Sequence, residues 1–212
     1  PYLCLNVKNI FKHINKTNKE KRIENEDEEK SEKIYYDKLI SICKYEGIIR
    51  KRIIDFKFKS KKYLYRTFTE YITKVITEDV CKNKIDKRKI NLENIDMIIP
   101  IPMYWKKKFR KGYNHSNLLG KGLSKQFKIN ISYKLLTKIK DTKPQSSLNR
   151  FERKGNVNEV YKITNKKKII GKVILLVDDV YTTGATANEC ARILKEAGAK
   201  EVIVLTLAYK SI

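Results

Sequence analysis

Apolar residues along this chain gather into three short runs and several stretches with helical spacing. The runs at 95–101, 172–177 and 201–207 are continuous and rich in Ile, Val and Leu, as is typical of strands buried inside a sheet. Between the last two runs, apolar residues recur at helical spacing over 184–197, and Gly198 is placed to end that helix. A strand, a helix and a strand in succession predict a βαβ unit with parallel strands. The predicted fold class is therefore α/β, a mostly parallel sheet flanked by helices.

The part of the chain before these runs predicts helices and a charged linker. Within 34–76 apolar residues return every three or four positions, which indicates two amphipathic helices, and Gly47 is placed to break the chain before the first. Residues 16–33 are almost all charged and have no apolar face to bury. We therefore divide the 212 residues into an N-terminal segment with its linker, 1–33, and one α/β domain, 34–212.

The most informative residues follow the second apolar run, where the chain from Ile174 to Thr186 reads ILLVDDVYTTGAT. Asp178 and Asp179 stand at the predicted carboxyl end of a strand, which is where open α/β sheets bind ligands. The residues after them open a helix, and the unpaired N–H groups of a helix N-terminus attract an anion. The predicted anion site, which we name the threonine loop, consists of Thr182, Thr183, Gly184, Ala185 and Thr186.

Two acids beside an anion site require a cation or hydroxyl groups to offset their repulsion. A ribose 5-phosphate meets this requirement, because its phosphate fits the threonine loop, its hydroxyls donate to the carboxylates and Mg²⁺ offsets the remaining charge. The glycine motifs of Walker A loops and dinucleotide folds are absent from this turn. A receiver domain also places paired acids after a strand, but the residues that follow Asp179 are too few to complete one. Simple capping of the helix explains one acid and not the pair.

The stretch 173–186 resembles the phosphoribosyl pyrophosphate signature of type I phosphoribosyltransferases, and further motifs resemble the ComF (ComF/GntX) family of competence-associated proteins. Those motifs are IPIP at 99–102, RKGYN at 110–114 and QSSLNRFERKGN at 145–156. One departure is Lys111, which separates Arg110 from Gly112 where the family has an adjacent Arg-Gly pair. The resemblance covers about 34–207 and implies the type I phosphoribosyltransferase fold.

The resemblance also implies roles for particular residues. Asp178 and Asp179 would be catalytic and would hold Mg²⁺, directly or indirectly. Lys57 matches a family position too, although a surface lysine with its charge in solvent is an alternative. The pyrophosphate would be bound by Arg110, Lys111, Gly112 and Asn114, and a mobile hood over the reaction centre would contain Gln145, Arg150, Arg153 and Asn156.

The N-terminal segment departs from the family, whose members begin with a four-cysteine zinc module. This segment has Cys4 alone, and the four cysteines of the chain contain no C-x-x-C pair, so no zinc is expected. His13 and His115 are isolated, which favours structural or surface roles for both. With neither a signal peptide nor an apolar run of about 18 residues, we expect a cytoplasmic protein without membrane insertion.

The implied function is Mg²⁺-dependent displacement of pyrophosphate at C1 of phosphoribosyl pyrophosphate. The acceptor stays open between orotate, a purine base, ammonia and none, and the family name suggests DNA uptake or use of imported DNA. Alternatives are a non-catalytic phosphoribosyl pyrophosphate-binding regulator and a basic nucleic-acid-binding accessory of the competence machinery. The net charge of +24 favours a nucleic-acid partner, unless it reflects the Lys-rich composition that an A/T-rich genome produces.

Overall fold

A computed structural model describes residues 33–81, 90–141 and 160–210 of the chain. The helices are α1 Gly47–Phe58, α2 Leu64–Cys81, α3 Trp105–Lys111, α4 His115–Phe127 and α5 Ala185–Glu196. The strands are β1 Lys38–Lys44, β2 Met97–Pro100, β3 Leu136–Lys138, β4 Tyr161–Ile163, β5 Val173–Tyr181 and β6 Glu201–Tyr209.

The main sheet is parallel throughout. Within the described ranges its strands lie in the order β1, β6, β5, β2, and each neighbouring pair runs in the same direction. The three apolar runs predicted as strands all lie in this sheet, and the helix between the last two, α5, ends two residues before Gly198. The predicted α/β class with a mostly parallel sheet is therefore confirmed.

Strand β1 is not predicted from the sequence. Two helices are expected within 34–76, the first after Gly47, and before them Lys38–Lys44 pair with β6, where the Ser41 and Thr206 hydroxyls lie 2.6 Å apart. The edge that β1 covers belongs to a strand 165 residues further along the chain, so no local pattern reveals it. Beyond β1 the prediction holds, because α1 begins at Gly47, whose φ is +52°.

Helices cover both faces of the sheet and form two cores. Leu175 and Val177 of β5 face α1, α2 and α4, and they pack in one cluster with Phe56 and Leu119. The alternate residues of β5 pack in a second cluster with α5, which buries Ala187, Cys190, Ala191 and Leu194. Period-two alternation along β5 thus assigns each side chain to one of the two layers.

Strand β5 extends four residues past its predicted end. It continues to Tyr181, so Asp178 and Asp179 lie inside the strand rather than after it. The extension arises because β6 continues alongside, pairing Asp178 with Thr206 and Tyr181 with Tyr209. Successive side chains of a strand point to opposite faces, so the two acids point to different layers.

Strands β3 and β4 form a small antiparallel hairpin beside the main sheet. The two strands flank 142–159, which contains the predicted hood, so Gln145, Arg150, Arg153 and Asn156 lie outside the described residues. Most of the predicted N-terminal segment, 1–32, lies outside them as well. The division at residue 33 therefore remains a prediction.

Candidate functional site

The threonine loop connects β5 to α5 as a strand, a tight turn and a helix. Gly184 immediately precedes the helix and has a φ of +79°, in the left-handed region. A Cβ at this position would lie 2.2 Å from the hydroxyl oxygen of Tyr181. Gly184 is therefore required twice, for the backbone conformation of the turn and for the close approach of Tyr181.

Tyr181, the last residue of β5, is held next to the threonine loop by contacts with Tyr36 and Lys210. Its hydroxyl lies 2.9 Å from the hydroxyl of Tyr36, and its carbonyl accepts a hydrogen bond from the Lys210 N–H. The segment that leads into β1 is fastened to α5 as well, because Asn188 Oδ1 accepts from the Tyr35 N–H at 2.8 Å. The residues before β1 thus support the back of the threonine loop.

Asp178 lines the small cavity at the threonine loop and is partly buried by its neighbours. Its Oδ1 accepts hydrogen bonds from Ser116 Oγ at 2.8 Å and from the Asp179 N–H at 2.9 Å. Burial, reinforced by the negative charge of Asp179, raises the pKa of Asp178 to about 7. Ser116, in the first turn of α4, is a site residue that the sequence analysis does not single out. The one indication of a role for Ser116 in the sequence was its position two residues after Asn114, which was predicted to bind pyrophosphate.

Asp179 points to the opposite layer and meets a lysine there. Lys57 Nζ lies 2.6 Å from Asp179 Oδ1, and the two side chains are 24% and 9% exposed. Burial alone would lower the pKa of Lys57, but the charge of Asp179 and its hydrogen bond outweigh it, and the pKa is raised. The second residue of the acid pair is thus neutralised by a cation from α1, and the surface alternative for Lys57 is wrong.

His115 lies in the wall beside this ion pair. It is 3% exposed, and its ring packs edge-on against Phe56 and Tyr113 with centroids 5.1 and 5.0 Å away. Among the described residues its Nε2 has no hydrogen-bond partner. Burial lowers the pKa of His115. The expectation of a structural role fits the ring packing, while the buried, unpaired nitrogen leaves one polar atom for a ligand or water.

Of the residues predicted to bind pyrophosphate, the structure describes the position of all but the Arg110 side chain. Lys111 and Asn114 line the same cavity as Thr182 and Thr186. The Asn114 side chain caps α4 by accepting from the Ser116 N–H at 3.1 Å and donates to the Ile101 carbonyl at 2.9 Å. Gly112 has a φ of +76° where α3 turns into α4. The Arg110 side chain is outside the described part, although its backbone belongs to α3.

The cavity that joins these groups has a volume of about 550 Å³. In the described part of the chain its lining contains five lysines, Lys57, Lys107, Lys111, Lys138 and Lys210, against the carboxylates of Asp178 and Asp179. A smaller cavity of about 50 Å³ adjoins the threonine loop and is lined by Asp178, Thr182, Gly184 and Thr186 among others. The excess of positive charge suits a ligand with several negative charges.

The hairpin contributes a side of the cavity that the sequence analysis misses. Lys138 of β3 and Tyr161 of β4 both line it, and Lys138 Nζ lies 5.5 Å from the centroid of the Tyr161 ring. Burial, with the charge of Lys107, lowers the pKa of Lys138. Short strands of three residues around a long polar segment carry little periodicity, so these two residues have no clear signal in the sequence.

The donor atoms present fit a magnesium ion that is shared with a ligand. Within the described ranges no cluster of three or more His, Cys, Asp or Glu side chains could hold a metal by itself. Mg²⁺ is commonly bound through one or two carboxylates together with substrate phosphates and water. Asp178 and Asp179 supply two carboxylates at the cavity, so the phosphate oxygens of a ligand would complete the set.

Comparison with known proteins gives matches in both halves of the chain. Residues 116–212 match the phosphoribosyl transferase domain. Competence protein F of Haemophilus influenzae is 29% identical over 82% of this chain and 73% of its own length. The DNA utilization protein YhgH of Escherichia coli (strain K12) is 31% identical over 57% of this chain and 52% of its own length. Competence protein ComFC of Streptococcus pneumoniae is 43% identical over 34% of this chain and 32% of its own length.

The resemblance to the ComF family, with a phosphoribosyl transferase domain, is confirmed. The range matched to that domain begins at Ser116 and includes Asp178, Asp179 and the threonine loop. Lys57 lies outside that range and reaches the site from α1. The described helices include none with the length and apolar character needed to span a membrane.

Proposed function

We propose that this ComF-type protein binds phosphoribosyl pyrophosphate with Mg²⁺ and displaces its pyrophosphate at C1 of the ribose. The observation that carries the proposal is the shared cavity, in which Asp178, Asp179 and the threonine loop meet five lysines of the described chain. Such a cavity combines acceptors for sugar hydroxyls with donors and charges for phosphates.

In this proposal the threonine loop binds the 5-phosphate through backbone N–H groups and the hydroxyls of Thr182 and Thr186. The carboxylates of Asp178 and Asp179 accept hydrogen bonds from the ribose hydroxyls and stabilise positive charge that develops on the ring. Lys111 and its neighbours would neutralise the leaving pyrophosphate. Mg²⁺, held by the two carboxylates and the ligand, would add positive charge at the pyrophosphate oxygens.

The bond changes require little covalent chemistry from the protein. The C1–O bond to pyrophosphate breaks and its electron pair leaves with the pyrophosphate oxygen, while a nitrogen of the acceptor forms a bond to C1 from the opposite face and its proton passes to the released pyrophosphate or to solvent. The protein would bind and orient both groups and exclude water. The acceptor would enter near Lys138 and Tyr161, the side of the cavity formed by the hairpin.

Calorimetry of the whole chain with phosphoribosyl pyrophosphate, with and without Mg²⁺, tests the binding step. We expect clear binding that Mg²⁺ strengthens at least tenfold, and heat indistinguishable from dilution under both conditions contradicts the proposal. Turnover is tested by release of pyrophosphate with orotate, purine bases and ammonia as acceptors. Binding without release in any of these assays would favour the non-catalytic regulator.

A nucleic-acid partner is the second candidate function. The net charge of +24 favours it, and relatives carry the names competence protein and DNA utilization protein. Because a protein that neutralises phosphates releases counterions, binding to DNA should weaken steeply as salt increases. A DNA affinity measured between 50 and about 200 mM salt should fall by orders of magnitude. Absence of binding at physiological salt would leave lysine-rich composition as the explanation of the charge.

A further inference from the structure

The ion pair between Lys57 and Asp179 occupies the position where the proposed function places a ribose hydroxyl or a metal ion. Lys57 Nζ approaches Asp179 Oδ1 to 2.6 Å, and both residues line the cavity. Lys57 comes from the last turn of α1, a helix outside the range matched to the phosphoribosyl transferase domain. The cation of this pair is therefore supplied by a separate part of the chain.

The backbone on either side of Lys57 is fixed, which directs the side chain toward the acid. Phe56 is fully buried, and its carbonyl accepts a hydrogen bond from the Tyr113 hydroxyl at 2.7 Å. Asp55 is 2% exposed and forms ion pairs with Lys59 at 3.1 Å and Lys61 at 3.0 Å. These contacts anchor the end of α1, and the Lys57 side chain is only 24% exposed, so it is not a freely rotating surface side chain.

The neighbours of the pair explain why a cation is needed there. Asp178 precedes Asp179 in the strand and is partly buried, and both acids line the cavity, so two negative charges would otherwise lie close together there. Removing one partner of a buried ion pair leaves an uncompensated charge, which is strongly unfavourable. Lys57 therefore stabilises the acid pair in the protein without ligand.

We propose that Lys57 is the resident counter-ion of the acid pair, competing with divalent metal for Asp179 and contributing to phosphoribosyl pyrophosphate binding in the absence of metal. The contribution to phosphoribosyl pyrophosphate binding rests on the proposed function, whereas the competition with metal does not. While the ammonium group neutralises Asp179, a free metal ion gains less from binding there. A metal ion that arrives with a polyanionic ligand is favoured, because phosphate oxygens then offer Lys57 a second anionic partner within the cavity.

Titration of the whole chain with Mn²⁺, followed by electron paramagnetic resonance, tests the competition without any sugar ligand. Lys57→Met removes the charge and keeps an unbranched side chain, and it should raise the affinity for Mn²⁺ at least tenfold. Lys51→Met is the matched control, because Lys51 lies on the same helix and is exposed to solvent. The control should bind Mn²⁺ as the parent protein does.

An Mn²⁺ affinity that is unchanged or lowered in Lys57→Met would overturn the competition. If Lys57→Met does not fold, Lys57→Gln replaces it with the same expectation. In an Asp179→Asn background the substitution should have no effect on Mn²⁺ binding, and a persisting tenfold gain there would contradict Asp179 as the shared anion.

The contribution to ligand binding is tested by calorimetry with phosphoribosyl pyrophosphate in the presence of a chelator. The Lys57→Met protein should bind at least tenfold more weakly than the Lys51→Met protein, and equal binding would overturn this part. If the parent protein binds no phosphoribosyl pyrophosphate with or without Mg²⁺, the proposed function fails, and the Mn²⁺ titrations still decide whether Lys57 competes with metal.

Discussion

The hydroxyl groups of Tyr36 and Tyr181 lie 2.9 Å apart, joining the segment before β1 to the end of the strand that carries both acids. Tyr181 in turn lies against Gly184, where the threonine loop reverses direction. The conformation of the predicted phosphate site therefore depends on a residue almost 150 positions earlier in the chain.

Tyr36→Phe removes one hydroxyl from this contact and should lower the free energy of unfolding by about 1 kcal/mol, the usual worth of a partly buried hydrogen bond. Binding of inorganic phosphate should weaken as well, because Tyr181 is no longer fixed against the loop. Urea denaturation and phosphate calorimetry measure the two effects. Tyr35→Phe is the control, since Tyr35 contributes its backbone N–H to the packing of this segment. Equal results for the two variants would show that the Tyr36 hydroxyl is dispensable.

Gly184→Val should abolish most phosphate binding at the threonine loop. A β-branched residue at a φ of +79° is strained by roughly 1–3 kcal/mol, and its Cβ would collide with Tyr181. Gly171→Val is matched to it in backbone, since Gly171 has a φ of +71° and open space around a Cβ. Both variants should lose stability in a thermal melt, and only Gly184→Val should lose phosphate affinity. Loss of affinity in both would point to general unfolding.

Asp179→Asn should weaken the Mg²⁺-dependent part of phosphoribosyl pyrophosphate binding by at least tenfold. The substitution keeps the shape of the side chain, removes its charge and leaves Lys57 without its carboxylate partner. Binding of free phosphate at the threonine loop should change little, since the acid that lines the smaller cavity at that loop is Asp178 and not Asp179. Calorimetry with both ligands, with and without Mg²⁺, separates these effects. A variant that binds phosphoribosyl pyrophosphate as the parent does would assign the acids a structural role alone.

His115 should make the protein less stable as the pH falls. Its pKa in the folded state is lowered from 6.5 by burial, so the unfolded chain takes up a proton on this residue first. Its contribution to stability is therefore present above about pH 6.5 and is lost as the pH falls toward the folded pKa. Asp178, with its raised pKa, acts in the opposite sense in the same range. Comparison of urea midpoints for the parent and His115→Gln between pH 7.5 and about 5 cancels that shared contribution.

The urea midpoint of His115→Gln should fall less than that of the parent protein as the pH is lowered. Identical pH profiles would mean that His115 takes up its proton equally in both states, contrary to its buried position.

Local patterns were sufficient where the structure depends on local sequence. The apolar runs, the helical spacing of α5 and the turn at Gly184 all follow from residues close together in the chain. The change from strand to helix at this turn was predicted for the same reason, because it is visible in about ten consecutive residues.

Contacts between distant segments could not be predicted in this way. Strand β1 depends on the exposed edge of β6, and Lys57 acquires its partner because α1 packs against β5. Lys57 was singled out only because it matches a position in the family that the sequence resembles, and nothing in the sequence indicated that it contacts Asp179. Ser116 was missed because a serine in the first turn of a helix has many ordinary roles, and its contact with Asp178 spans 62 positions.

The position of β6 between β1 and β5 also constrains how the chain is made. On the ribosome, Lys38–Lys44 emerge long before Glu201–Tyr209, the strand with which they pair. Until that strand is synthesised, β1 has no partner and the sheet is incomplete. The early part of the chain then exposes apolar surface, which favours aggregation. A chain released without Glu201–Tyr209 should therefore depend on chaperones far more than the chain that contains them.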